Sequence, residues 1–400
     1  MKYISLLVVA CLAWSSSSAD AAAPFINNAA GSTAVAGSYI VVLKDTNTAE
    51  SFAPKFNEIA SRVHNARGGR RPRINQRFGT IPGFTVTGTR AAVTELLAMD
   101  EVAYIEQDAI VSIEATQKSP PSWGLGRVSQ RGALTNAQTS YKYANSAGAG
   151  VTAYVVDTGI NTGHSDFGGR AKMGANFIQG SPNTDENGHG THVAGTIGGN
   201  SYGVAKKVQL VGVKVLAADG RGSTSGIVAA LDWVISVNKG KRAVVNMSLG
   251  GGSSRALNDA TSRLYKANIP VIVAAGNDAN VDACSGSPSG APNVLAVGAS
   301  DIRDNIATFS SFGKCVKIFG PGVGITSAWI GSKTAKNTIS GTSMATPHVV
   351  GVAALTMSGN AKLKTSQQVY NALSKAATKN AVKGNLRGST NLLVFNGGGK

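Results

Sequence analysis

Two rhythms of apolar and polar positions divide the chain. From residue 37 to 113 the runs are short. SYIVVLK reads as a strand, NTAESFAPKFNEIASRVHNA as a polar helix, RINQRFG and GFTVTGT as strands, RAAVTELLAM as a helix and VAYIEQDAIVSI as a strand. That β-α-β-β-α-β order predicts a small split βαβ sandwich. The polar, proline-bearing stretch EATQKSPPSWG then reads as a linker. Beyond it, the apolar strands VTAYVVDTGI, VQLVGVKVL, AVVNMSLG, IPVIVAAGN and NVLAVGAS alternate with the helical runs SGIVAALDWVISVN and ALNDATSRLYKAN. Strands alternating with helices predict an α/β fold, a mainly parallel sheet flanked by helices. In such sheets the chemistry gathers past the carboxyl ends of the strands.

The extreme N-terminus has a different pattern: one lysine, an apolar run from Ile4 to Trp14, then small residues ending in Ala19-Asp20-Ala21. This predicts a signal peptide over residues 1 to 21, too short to span a bilayer comfortably, and a secreted, extracellular product. No later segment has a transmembrane length of apolar residues. With the signal removed, Cys284 and Cys315 are the cysteines that remain of three. An even pair in an exported chain favours a disulfide closing a loop of about thirty residues; two buried free thiols are the alternative.

Charge sharpens the division. Residues 1 to 114 hold ten Lys plus Arg against ten Asp plus Glu, whereas residues 115 to 400 hold 28 against 11, the whole net charge of +17. Such a field draws a protein to acidic surfaces. The basic residues are scattered, with neither zinc-finger spacing nor an aromatic RNA-binding run, so nucleic acid is not expected as a partner. An apolar content of 42% with 49 glycines describes an ordered chain rich in tight turns.

Three short blocks carry candidate chemistry. Asp157 closes the apolar strand AYVVD, a place often held by a plain turn residue. His189 and His192 lie in NGHGTHVAGTIGG at a helix start. The glutamate of a His-Glu-x-x-His zinc motif is missing, so no metal is assigned: His189, between two glycines, suits a general base, and His192 a packed helix position. Ser343 lies in GTSMATPHV with Pro347 in the first helical turn, where a serine by itself is as readily a cap. The block is not Gly-x-Ser-x-Gly, because Ala345 replaces the second glycine, which disfavours an α/β-hydrolase elbow. His348 is close to Ser343 in sequence only and is assigned to packing. Jointly, a hydroxyl, a base and an acid to hold the base stand in the order Asp, His, Ser. Asn277, after the strand VIVAAG, adds an amide able to donate to an oxyanion.

With HGTHVAG and GTSMATPHV in this order, the chain resembles the subtilisin-like serine proteases, most of all the secreted proteinase K branch, over nearly its whole length. The resemblance implies a signal peptide (1–21), an inhibitory propeptide (22–114, folded about 37–113) and a catalytic domain (115–400). It implies that Asp157 orients, His189 is base and then acid, Ser343 attacks the peptide carbonyl, and the amides of Asn277 and Ser343 hold the oxyanion. The stretches Gly220 to Thr224, including Gly222, and Ser248 to Gly252 align with the two edges that pair with a substrate backbone, which predicts broad endopeptidase specificity. A primary pocket from Ser248, Leu249, Gly250, Ala274, Ala275 and Gly276 holds no charge in these segments, so large apolar or aromatic side chains are expected before the cut.

The family's propeptide is removed autocatalytically and inhibits its own enzyme, which places the cut near Ile113-Glu114-Ala115. A family calcium site aligns with the carbonyls of Pro292 and Val294 but has Lys317 in place of an aspartate, and a second has Asn385. No cofactor is therefore expected, with weak calcium dependence and the Lys317 ammonium as a stand-in cation. Relatives bridge the positions of Cys284 and Cys315. Asn246 begins a glycosylation sequon at the end of a core strand and is expected to be unmodified. The expected product is a monomer acting on proteins and peptides. The rival is a catalytically inactive, cationic binding relative, against which the filled catalytic positions argue.

Overall fold

The computed structural model describes residues 22–26, 34–67, 71–112, 116–117, 122–134 and 140–397. The predicted signal peptide, with Cys11, and residues 113–115 lie outside the described residues. Two layered units follow one another.

The first unit has strands β1 (Ala34–Leu43), β2 (Arg73–Phe78), β3 (Gly83–Thr87) and β4 (Val102–Ser112), with helices α1 (Ala49–Arg67) and α2 (Arg90–Leu97). The sheet order is β4-β1-β3-β2 with antiparallel pairings, and a two-residue strand, Phe25–Ile26, runs parallel to β4 at its edge. Alternation along β1 divides the sheet: Tyr39, Val41 and Leu43 pack with Phe52, Phe56 and Phe84 under the helices, while Ile40 and Val42 face the second unit. The predicted element order is the observed one, and α2 ends at Leu97, two residues before the end of the RAAVTELLAM run.

The second unit is built on seven parallel strands in the order β6-β7-β5-β9-β11-β12-β13: β5 (Thr152–Asp157), β6 (Ala171–Asn176), β7 (Gln209–Lys214), β9 (Ala243–Met247), β11 (Val271–Ala274), β12 (Leu295–Ser300) and β13 (Val316–Pro321). Between them run α3 (His189–Gly198), the short strand β8 (Arg221–Ser223), α4 (Thr224–Asn238), β10 (Gly251–Gly252) and α5 (Arg255–Lys266), and α6 (Thr342–Gly359) follows. Strands β6 and β13 were not foreseen. AKMGAN alternates only weakly apolar residues, Ala171, Met173 and Ala175, with Lys172 and Gly174, and VKIFGP carries glycine and proline at its end.

The order reverses at β5, whose neighbours β7 and β9 leave in opposite directions, so the crevice expected of an α/β sheet opens at its carboxyl end. Helix α6 is buried nearly all round, as a helix passing through a core must be. Cys284 and Cys315 form a disulfide with Cα atoms 5.3 Å apart.

Candidate active site

Asp157 is the last residue of β5 and fully buried. Its Oδ1 accepts the Thr158 amide at 2.8 Å and lies 2.8 Å from His189 Nδ1. A carboxylate facing Nδ1 fixes the neutral imidazole with its proton there and its lone pair on Nε2. That Nε2 is buried without a hydrogen-bond partner. The helix bearing His189 can come this close because Gly190 has no side chain: a Cβ there would stand 2.2 Å from the Gly159 carbonyl oxygen.

The frame around this pair was not foreseen from sequence. Asp185, buried, accepts Thr158 Oγ1 at 2.8 Å, the Asn187, Gly188 and Thr191 amides at 3.0, 2.9 and 2.9 Å, and Thr191 Oγ1 at 2.5 Å. Thr158 Oγ1 in turn accepts the Gly190 amide at 2.9 Å. One carboxylate thus joins the turn after Asp157 to the start of α3. Lys214, level with Asp157 on β7 and fully buried, donates to the Thr158 and Leu216 carbonyls at 2.8 and 3.1 Å, with Glu186 3.6 Å away. The available signal was a carboxylate four residues before a histidine at a helix start, the geometry of a capping turn.

Ser343 lies in the first turn of α6, where amides have no carbonyl within the helix to bond. Its hydroxyl donates to the Ser248 carbonyl at 3.2 Å, and Ser248 Oγ donates back to the Ser343 carbonyl at 2.8 Å. The hydroxyl therefore points to Ser248, and no hydrogen bond joins it to His189. Ser248 itself is fully buried, and its side chain anchors the backbone of the serine.

Asn277 follows Gly276, whose φ of 112° turns the chain sharply after β11. The Asn277 Oδ1 accepts the Thr342 amide and hydroxyl at 2.7 and 2.9 Å. With the carbonyl end so occupied, Nδ2 is the donor end of this side chain. His192 and His348 are packing residues. His192 bonds the Ile325 carbonyl at 2.9 Å and His348 the Met344 carbonyl at 2.8 Å, and burial pushes them down to about 3 and about 4 respectively, so both are neutral.

Ser343 and Asn277 stand on a cavity of about 330 Å³ walled by Leu249, Gly250, Ala274, Ala275 and Gly276. The walls are apolar, but Asp278 also lines the cavity, exposed, with Oδ1 on the Asn280 amide at 2.9 Å. The segments read from sequence bring no charge to the wall; Asp278 and Val281 belong to a loop that the sequence did not tie to the cavity.

Beside the cavity, β8 is paired, and its partner is the chain itself. The end of β4 runs antiparallel to it, Arg221 opposite Ser112, Gly222 opposite Val111 and Ser223 opposite Ile110. Gly222 permits the tight fold behind this edge, since a Cβ there would stand 1.9 Å from the Val215 carbonyl oxygen. After the three residues outside the description, Thr116 and Gln117 pair with Ser340 and Ile339, just ahead of Ser343. The first unit is thus docked with its last strand in the cleft.

That docking rests on side chains of one face of β4. Glu106 accepts the Ala256 amide at 2.8 Å at the start of α5, and Asp108 accepts the Ser225 amide at 3.1 Å and Ser225 Oγ at 2.7 Å at the start of α4. Both carboxyls are about 1% exposed. Burial pushes Glu106 up to about 7 and raises Asp108, against the donors that favour the charged form.

At the positions aligned with calcium ligands, Lys317 Nζ donates to the Lys314 carbonyl at 2.7 Å. The Pro292 carbonyl accepts Ser262 Oγ at 3.2 Å, and Asn385 Oδ1 accepts the Arg387 amide at 3.1 Å. Asn246 is fully buried and donates to Ser248 Oγ at 3.0 Å.

Comparison with known proteins agrees with this geometry. Residues 148–391 match the model of the subtilase family, and residues 38–114 that of the peptidase inhibitor I9 family. The chain is 46% identical over 366 residues to subtilisin-like protease 2 of Pseudogymnoascus destructans, covering 90% of each chain. It is 40% identical over 414 residues to a cuticle-degrading serine protease of Arthrobotrys oligospora, covering 98% of each. The solved structure of a cold-adapted subtilisin-like serine proteinase superposes with a TM-score of 0.65 at 46% identity, covering 70% of this chain and 99% of that one.

Proposed function

Because the chain belongs to the subtilase family of serine proteases, preceded by an I9 inhibitor domain, we propose that it is a secreted endopeptidase made as a self-processing zymogen, with Asp157, His189 and Ser343 as its catalytic triad. The observation that carries the reading is the buried Asp157–His189 pair at 2.8 Å, with an unpartnered Nε2, His189 standing on a helix packed against the one that brings Ser343 to the cavity.

In this mechanism a substrate backbone takes the place of residues 110–112 on β8, and its side chain before the scissile bond enters the cavity. Ser343 Oγ turns from the Ser248 carbonyl to His189 Nε2, gives up its proton there and bonds to the substrate carbonyl carbon. The oxygen becomes an oxyanion held by the Ser343 amide and Asn277 Nδ2. Imidazolium, stabilised by Asp157, protonates the leaving amine, and water then releases the acyl group by the same steps. A fluorophosphonate probe is expected to label Ser343 alone, read by peptide mass spectrometry. A protein secreted and folded but unlabelled would be the inactive binding relative instead.

The apolar walls favour large apolar or aromatic side chains before the cut, and backbone pairing makes the specificity broad. Asp278 at the rim adds tolerance for Lys and Arg as minor sites. Cleavage profiling of a peptide library is expected to rank Phe, Leu and Tyr first, and strict cutting after Lys or Arg would refute the assignment. The enzyme is also proposed to depend weakly on calcium, because an ammonium and an amide stand where hard oxygen anions are needed. Chelator is expected to lower the thermal midpoint by no more than about 2 °C, and a fall of ten degrees or more would reveal a bound ion.

A further inference from the structure

The surface that holds the first unit has a second use once that unit is gone. Along β4, Ile105 and Gln107 face their own unit, whereas Tyr104, Glu106 and Asp108 face the protease. The Arg255 guanidinium lies 3.9 Å from the Tyr104 ring centroid, and the Tyr104 hydroxyl donates to Asp259. Glu106 and Asp108 sit on the amides opening α5 and α4, and Thr224 Oγ1 donates to the Ala109 carbonyl at 3.0 Å. On the protease side these contacts come from residues 224–259. They remain after the first unit leaves, and they belong to the part of the chain that carries the net positive charge of 17. Two residues after Asp108 the same strand enters the cleft and pairs with β8. Docking and substrate pairing therefore read one continuous extended segment.

We propose that in the mature enzyme the starts of α4 and α5, with Arg255, form an exosite that selects unfolded protein substrates carrying an aromatic residue and two acidic residues six, four and two positions before the segment paired with β8. The proposal rests on the reading of that cleft as the substrate cleft. The two first-turn amides, Ser225 Oγ and the guanidinium are donors or cations fixed in place, and an extended chain presents alternate side chains to them without rearrangement. Substrates of this class gain affinity from a site the short cleft alone does not supply.

The test uses the mature enzyme freed of its first unit and three quenched fluorescent peptides, read at mildly alkaline pH. One has the sequence of residues 102–117, one is the same with alanine at 104, 106 and 108, and one begins at residue 110. The full peptide is expected to exceed the alanine peptide at least tenfold in kcat/KM, through KM, as loss of charged hydrogen bonds implies. In the double variant Ser225→Ala/Arg255→Ala the ratio is expected to fall toward one, and salt to lower it in the unaltered enzyme. Equal rates on the two long peptides, with the short one cleaved, would overturn the exosite alone. Cleavage of none of the three, by an enzyme that digests casein, would remove the assignment of the cleft's register and the exosite with it.

Discussion

Replacing Ser343 by alanine is expected to lower kcat on denatured casein by on the order of 10⁶-fold, the scale of this loss in subtilisin, a member of the same family. Removal of Oγ takes away the atom proposed to form the acyl bond. The Ser343 amide and Asn277 persist, and with them the residual rate of an oxyanion site without a nucleophile. Folding should survive, because the lost hydroxyl made one hydrogen bond, to the Ser248 carbonyl at 3.2 Å, and the return bond from Ser248 Oγ goes to a backbone carbonyl that alanine retains. The same variant bears on maturation. Residues 110–112 lie on β8 and Thr116 pairs with Ser340, so the proposed self-cleavage is assigned to the three residues between, and the I9 match ends at residue 114. The variant is expected to accumulate as one uncut chain on a denaturing gel. If it were secreted already cut there, another protease would be responsible; if casein were still digested within tenfold of the unaltered rate, Ser343 would not be the nucleophile.

What could be read before any coordinates follows from where each signal resides. The order of the first unit was legible because strands and helices alternate there with their own periods, and the parallel sheet because its strands are continuous apolar runs. Asp157, His189 and Asn277 were legible as candidates because each ends a strand or starts a helix, a property of neighbours in sequence. Asp185 and Lys214 escaped because their function lies in partners 6 to 56 residues away. Lys214 reads as the polar end of a strand until β5 is set beside it. Glu106 and Asp108 escaped for the opposite reason: a strand face that alternates polar residues reads as solvated, and here it is buried against two helix starts. Asp278 reached the cavity through a turn at Gly276 that no pattern of apolar residues encodes.

The charge of Asp157 should matter almost as much as the presence of Ser343. Asp157→Asn is nearly the same in shape, so the variant should fold, and Oδ1 can still accept the Thr158 amide that it holds now at 2.8 Å. Two things change. If the new amide turns its nitrogen toward His189, Nδ1 must become the acceptor, the ring proton moves to Nε2, and the base faces Ser343 with no lone pair. If the oxygen stays, the tautomer is correct but the imidazolium formed during attack has lost the buried anion 2.8 Å from it, in a place where water does not replace that anion. Either route is expected to reduce kcat by on the order of 10⁴-fold with KM little altered, because the cavity and β8 are untouched. Fluorophosphonate labelling of Ser343 should slow by a similar factor, since it needs the same proton transfer. A fall of less than tenfold in both, with the thermal midpoint unchanged, would mean that His189 is held in its working tautomer by the frame of Thr158, Asp185 and Gly190 rather than by the carboxylate.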